Sequence, residues 1–177
     1  MEQADLIQIE RDILQSLTDN FGEGIIGHKK SDGQLSIFFS SEIIFELAQF
    51  LKEDAAAGFD LLSDICGVDW IHRPEQRFEL VYNFYSLGKN LRILMRTTIP
   101  DCPSPSILSI QPIYPGADWL EREVYDMLGI TFEGHPDLRR IVTPDEFEGW
   151  PHRKDFPLTY EAPQFSFNKD NPPEIIK

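Results

Sequence analysis

Only two cysteines, Cys66 and Cys102, occur in the 177 residues, and they form no Cys-x-x-Cys pair. A cubane cluster needs about four thiolates, so this chain alone is expected to hold no iron–sulfur cluster. So low a count suits a reducing compartment. Basic residues are also scarce: 16 Lys and Arg stand against 30 Asp and Glu, for a formal charge of -14. Such a surface is repelled by phosphate backbones and anionic headgroups, which argues against nucleic acid and direct lipid binding. No apolar run reaches the roughly 18 residues of a membrane helix. Met1 to Arg11 carries Glu2, Asp5 and Glu10 and lacks the basic start and apolar run of a signal peptide, so the expectation is a protein that stays where it is made. The four histidines, His28, His72, His135 and His152, show no metal-ligand spacing. There is no Gly-x-Gly-x-x-Gly or Walker pattern, so this chain is not expected to bind NADH.

What is present is enough to build a core. Hydrophobic residues make up 41% and aromatics 12% of the chain, which suits one globular domain plus an extension. Acidity on this scale reads first as solubility and second as a docking face. From Asp5 to Leu17, Leu6, Ile9, Ile13, Leu14 and Leu17 make one helical stripe, stopped by Gly22 and Gly24. Ile25 to Lys29 and Leu35 to Phe39 read as strands joined through the turn Ser31-Asp32-Gly33. Ser41 is a candidate N-cap for a helix from Glu42 to about Ala56, ended by Gly58. Phe59 to Trp70 contains a strand, in which Cys66 reads as a small core residue. Phe78 to Tyr85 and Leu91 to Ile99 alternate with period two around the turn Gly88-Lys89-Asn90. The order α-β-β-α-β-β-β predicts a two-layer α+β domain over residues 1–100, with a mixed, mostly antiparallel sheet.

Beyond Pro100 the composition changes. Ser106 to Ile110 reads as a short helix or turn. Gly116 to Leu128 reads as a helix with Asp118 as its cap and Glu121 completing a capping box, and Gly129 as its stop. Residues 101–142 thus form a helix and turn. Residues 143–177 form a proline-punctuated tail, whose Trp150, Phe156, Phe165 and Phe167 predict an extended segment docked on its own domain or a partner.

One block is more specific than any periodicity. Trp119-Leu120-Glu121-Arg122-Glu123-Val124-Tyr125-Asp126-Met127-Leu128-Gly129-Ile130 leads into Phe132-Glu133-Gly134-His135-Pro136-Asp137-Leu138-Arg139-Arg140-Ile141. Then follows Glu148-Gly149-Trp150-Pro151-His152-Arg153-Lys154-Asp155-Phe156-Pro157-Leu158. In order and spacing this resembles the signature of the 30 kDa, or C, subunit of the respiratory NADH–quinone oxidoreductase, complex I. His152 departs from it, standing where an apolar residue is common. The resemblance implies a non-catalytic scaffold in the peripheral arm, on the cytoplasmic side of the bacterial inner membrane. It would pack against the D subunit near the quinone site, with the cluster-bearing B and I subunits as neighbours. FMN, iron–sulfur clusters and quinone would be carried by other subunits, and none on this chain. Glu121, Arg122, Glu123, Asp126, Gly129, His135, Pro136, Arg139, Arg140, Trp150, Arg153, Lys154, Asp155 and Phe156 become the signature residues and expected subunit interface. The corresponding subunit of a membrane-bound hydrogenase or formate hydrogenlyase is an alternative within the superfamily.

The side chains also admit other readings. Glu121 and Glu123 point about 200° apart on a helix and cannot clamp one ion. Glu123 and Asp126 share a face, and Arg122 can pair with Asp126 four residues on. A solvated helix surface is the leading reading of these acids, ahead of a buried salt-bridge network and of catalysis. Arg139 and Arg140 are expected to form internal or intersubunit ion pairs. His135, held extended by Pro136, reads as a structural histidine bonded to backbone. A stand-alone metal-dependent hydrolase using His135 and Asp137 is the competing class, weakened by the lack of a paired-acid or His-x-x-x-His arrangement.

Overall fold

The computed structural model describes residues 6–54 and 57–157. Helix α1 spans Gln8–Phe21. The start expected at Asp5 lies outside the described residues, as do Phe165 and Phe167 of the expected tail. Glu10 tethers α1 at its first turn: its carboxylate accepts the Ile7 backbone N–H at 2.9 Å and pairs with Lys30 at 2.7 Å. Strands β1 (Ile25–Ser31) and β2 (Gln34–Phe39) follow as an antiparallel hairpin. Its turn residues Asp32 and Gly33 both have positive φ, the backbone that such tight turns require. Helix α2 covers Ile44–Glu53, after a single tighter turn at Ser41–Ile43. Ser41 therefore sits inside that turn and caps nothing. The helix ends at Glu53, before Gly58, with Asp54 accepting the Ala57 N–H at 2.8 Å.

Strands β3 (Leu61–Asp69), β4 (Phe78–Ser86) and β5 (Leu91–Ile99) form an antiparallel meander. The five-stranded sheet runs β1-β2-β5-β4-β3, and only β2 and β5 are parallel. The expected order through Ile99 and the mixed, mostly antiparallel sheet are observed. The period-two pattern puts Leu35, Ile37, Phe39, Phe78, Leu80, Tyr82, Phe84, Ile93 and Met95 on one face, all buried in the core.

Two short strands were not legible. Ser106–Leu108 forms β6, where a helix or turn is expected, and pairs in parallel with β7 (Thr131–Glu133). Between them lies helix α3, Ala117–Leu128. It packs on β3, where an added Cβ at Gly67 would stand 2.2 Å from Leu128 and 3.4 Å from Val124. Glycine there permits the close approach. Cys66, next to it, points the other way and is exposed, not a core residue. In β3 the buried face is taken by Ile65, and alternation turns its neighbour outward.

Candidate functional site

Three buried polar groups organise the α3 region. The first is Glu121, which is fully buried. Its carboxylate accepts the Ile110 N–H at 2.8 Å and the Ser109 hydroxyl at 2.5 Å. This replaces the expected capping box: no side chain caps α3, and Glu121 is turned inward to the loop after β6. Burial, with Asp118 nearby, outweighs those two hydrogen bonds and pushes the carboxyl up to about 7. His135 lies beside it with its ring fully covered, 4.0 Å from the Glu121 carboxylate. Its Nδ1 accepts the Asp137 N–H at 3.1 Å, so the ring proton sits on Nε2, 3.2 Å from the Asp118 carbonyl oxygen. His135 is thus the backbone-bonded histidine that its position before Pro136 suggests.

The second is Asp126, also fully buried. One of its oxygens accepts three successive backbone N–H groups, from Ile141 at 3.0 Å, Val142 at 2.7 Å and Thr143 at 2.9 Å. The other meets Arg140 at 2.9 Å and the Thr143 hydroxyl. Burial opposes ionisation, but the Thr143 hydroxyl and the three N–H groups outweigh it and hold this carboxyl down at about 2. The solvated-surface reading of the helix acids is therefore corrected for Glu121 and Asp126; Glu123 alone of the three is exposed. Arg122 does not pair with Asp126, which is saturated by the turn. It donates instead to the Arg139 carbonyl at 3.2 Å and lies 4.9 Å over the Trp119 ring.

Arg140 extends the network outward. It donates to the Gly149 carbonyl at 2.9 Å and lies 4.4 Å over Trp150, whose ring packs edge-on against Tyr125. Trp150 covers Gly129, the left-handed residue that ends α3; a Cβ there would lie 2.4 Å from the indole. The last carbonyls of α3 are taken by His152 N, 3.0 Å from Met127, and by Arg153 Nε, 2.5 Å from Leu128. These cations and N–H groups suit the negative end of the helix. Arg139, by contrast, forms an exposed pair with Asp137 at 2.6 Å.

The third is Arg77, which the sequence did not single out. It is buried and forks onto Asp69 at 3.0 and 3.2 Å, reaching Asp101 at 3.1 Å and Asp155 at 2.8 Å. Asp69 also accepts the Lys154 N–H at 2.8 Å. Burial works against the Asp69 charge, but Arg77 and Lys154 hold its carboxyl below the usual range. Segments distant in sequence thus close on one guanidinium. The described part of the tail, residues 143–157, is therefore a run of turns fastened to its own domain by Arg140, Arg153 and Arg77, not an extended strap. Phe156 stacks on Phe147 at 5.7 Å and Pro136 is exposed.

The polar side chains of this region are bonded to this chain's own backbone. Asp137 is held by Arg139 and His135 Nδ1 by a backbone N–H, so neither is presented to a metal. Among the described residues no three His, Cys, Asp or Glu groups are placed to hold a metal ion, and no helix is long and apolar enough to cross a membrane.

Comparison with known proteins agrees with the signature block. Residues 37–162 match the family described as respiratory-chain NADH dehydrogenase, 30 Kd subunit. The chain is 49% identical over 144 residues to the C subunit of NADH-quinone oxidoreductase from Rhizobium rhizogenes, covering 81% of this chain and 70% of that protein. It is 40% identical over 158 residues to the same subunit of Roseiflexus sp., covering 89% and 90%. Among solved structures it resembles the trypsin-resistant fragment (1-134) of Nqo5, with a TM-score of 0.61, 32% identity, and 72% and 99% of the two chains covered. It also resembles a chain of the membrane-bound sulfane sulfur reductase, an archaeal respiratory membrane complex, with a TM-score of 0.72, 27% identity, and 85% and 86% covered. The family match over residues 37–162 and the relatives covering 81% and 89% of the chain place it in the 30 kDa, C-subunit family of respiratory-chain NADH–quinone oxidoreductase, complex I.

Proposed function

We propose that the chain is a non-catalytic structural subunit in the peripheral arm of a proton-pumping NADH–quinone oxidoreductase. It packs against the D subunit near the quinone site, with the B and I subunits as neighbours, on the cytoplasmic side of the bacterial inner membrane. The observation that carries this reading is how the signature side chains are used. Glu121, Asp126, Arg140 and Arg153 all bind this chain's own backbone. A region built to position a substrate would leave convergent polar groups unpaired. FMN, clusters and quinone are then carried by other subunits.

The contact surface consistent with this role lies on the outside of α3. Trp119 is 61% and Val142 62% exposed, beside the Arg122 stack and the Arg139–Asp137 pair. Trp and Arg at the centre of a patch are the residues that anchor stable interfaces. Trp119→Glu leaves the core untouched. In a bacterium whose own C subunit is deleted, it should abolish co-purification of the D subunit with this chain. Retention of the D subunit at wild-type yield would refute the assignment of this surface.

The likeness to the sulfane sulfur reductase chain supports a second reading, a related membrane-bound complex such as a hydrogenase or formate hydrogenlyase with another electron donor. NADH oxidation by the purified complex separates the two.

A further inference from the structure

We propose that the outer face of the sheet, at its Trp70 end, binds an extended acidic segment of a partner polypeptide and takes one of its aromatic side chains between Ile26, Phe38 and Trp70. The two-layer fold covers only one face of the sheet. On the other, Phe38 of β2, Val68 of β3, Val81 of β4 and Leu94 of β5 are half-exposed. Ile26, at the bulge in β1, is 68% exposed. Where these strands end, Ile26, Phe38, Trp70, Arg73, Glu79 and Arg96 line a hollow of about 180 Å³. That is below the roughly 300–1,000 Å³ of pockets for small ligands, and suits one large side chain.

Charge identifies the partner. Arg73 lies 4.7 Å and Lys154 5.7 Å over the Trp70 ring, and Arg96 lies 5.6 Å over Phe38. The carboxylate in the lining, Glu79, is buried and already taken by Arg96 at 2.7 Å and the Trp70 indole N–H at 2.8 Å. With Arg96 neutralised by Glu79, the two exposed cations Arg73 and Lys154 face outward around a pinned indole, on a chain whose formal charge is -14. A local reversal of sign of this kind selects a partner with carboxylates at that spot. A short acidic segment meets it without carrying the dense charge of nucleic acid, which the rest of the surface repels. Trp and Arg supply the anchoring contacts.

The test uses the purified full chain and a dye-labelled, end-blocked peptide, Glu-Asp-Glu-Phe-Glu-Asp-Glu, titrated by fluorescence anisotropy. Controls replace its Phe with Ala, or all of its acids with Lys. Saturable binding is expected, weakened about tenfold or more by the Phe replacement and by the double variant Arg73→Glu/Lys154→Glu. Thermal unfolding of that variant should stay two-state, because both side chains are exposed. Absence of binding, equal binding of the Lys peptide, or indifference to the double variant overturns the proposal. Benzoylphenylalanine introduced at position 26 supplies the remaining outcome. A photo-cross-link from the free chain to its own residues 158–177 would assign the hollow to this chain's C-terminal segment and overturn the partner assignment.

Discussion

Asp126 and Arg140 meet at 2.9 Å beneath the turn that follows β7, and the same carboxylate collects three consecutive backbone N–H groups of that turn. One helix side chain thereby sets the path of residues 140–143, and Arg140 carries the constraint on to Gly149 and Trp150. The two arginines of the signature therefore differ. Removing Arg140 strips a buried carboxylate of its cation, at a cost of about 3 kcal/mol or more. Removing Arg139 breaks a solvent-exposed pair with Asp137 that adds little to stability. Urea unfolding of Arg140→Ala and Arg139→Ala checks this difference; equal midpoints would refute it.

Glu121 and Asp126 give opposite pH dependences. The Glu121 carboxyl, raised from 4.5 to about 7 in the fold, holds a proton that the unfolded chain releases. Its contribution is complete below about 4.5 and is lost as pH rises towards 7, on the order of 2–3 kcal/mol. Asp126, lowered from 3.8 to about 2, contributes above about 3.8 and loses its contribution as pH falls towards 2. Unfolding midpoints measured from pH 4.5 to 7 (roughly the span of the Glu121 shift) should decline in the wild type and stay flat in Glu121→Gln. Parallel slopes would show that Glu121 is not the group responsible.

Gly129→Ala combines two penalties. The site has φ 72° and the new Cβ would lie 2.4 Å from the Trp150 ring. The left-handed backbone costs roughly 1–2 kcal/mol and overpacking a further 1–3. The expected result is a lower unfolding midpoint with Trp150 displaced, read as a red-shifted tryptophan emission. An unchanged midpoint and spectrum would mean that Trp150 does not seat on Gly129.

Cys66 is exposed but should react slowly. Partial burial, and the Asp64 carboxylate 3.0 Å away, push its thiol up to about 11. The thiolate is the nucleophile, so alkylation near pH 7.5 should run on the order of a hundredfold slower than for free cysteine. Asp64→Asn should speed it; an ordinary rate in the wild type would contradict the assignment.

The sheet was legible because its inner residues alternate over whole strands: Phe78, Leu80, Tyr82 and Phe84 cannot share a face in any other way. Strands β6 and β7 were not, because Ser106–Leu108 and Thr131–Glu133 are too short to show a period. The signature named most of the residues that matter but not their direction. Glu121 reads as a cap at its spacing from Asp118, and only the loop at Ser109 and Ile110 turns it inward. Arg77 left no trace in the sequence, since Asp69, Asp101 and Asp155 come from separate segments with no common spacing. Networks of this kind are decided by tertiary closure, which periodicity does not encode.

In the proposed role this chain holds a respiratory complex together and performs none of its chemistry. The direct test is NADH–quinone reductase activity per assembled complex, measured in a bacterium whose only C subunit is this chain carrying Arg140→Ala. Assembly should fall, and total activity should fall in proportion, leaving turnover per assembled complex unchanged. A fully assembled complex with specifically slowed turnover would contradict the scaffold role and place Arg140 in the mechanism.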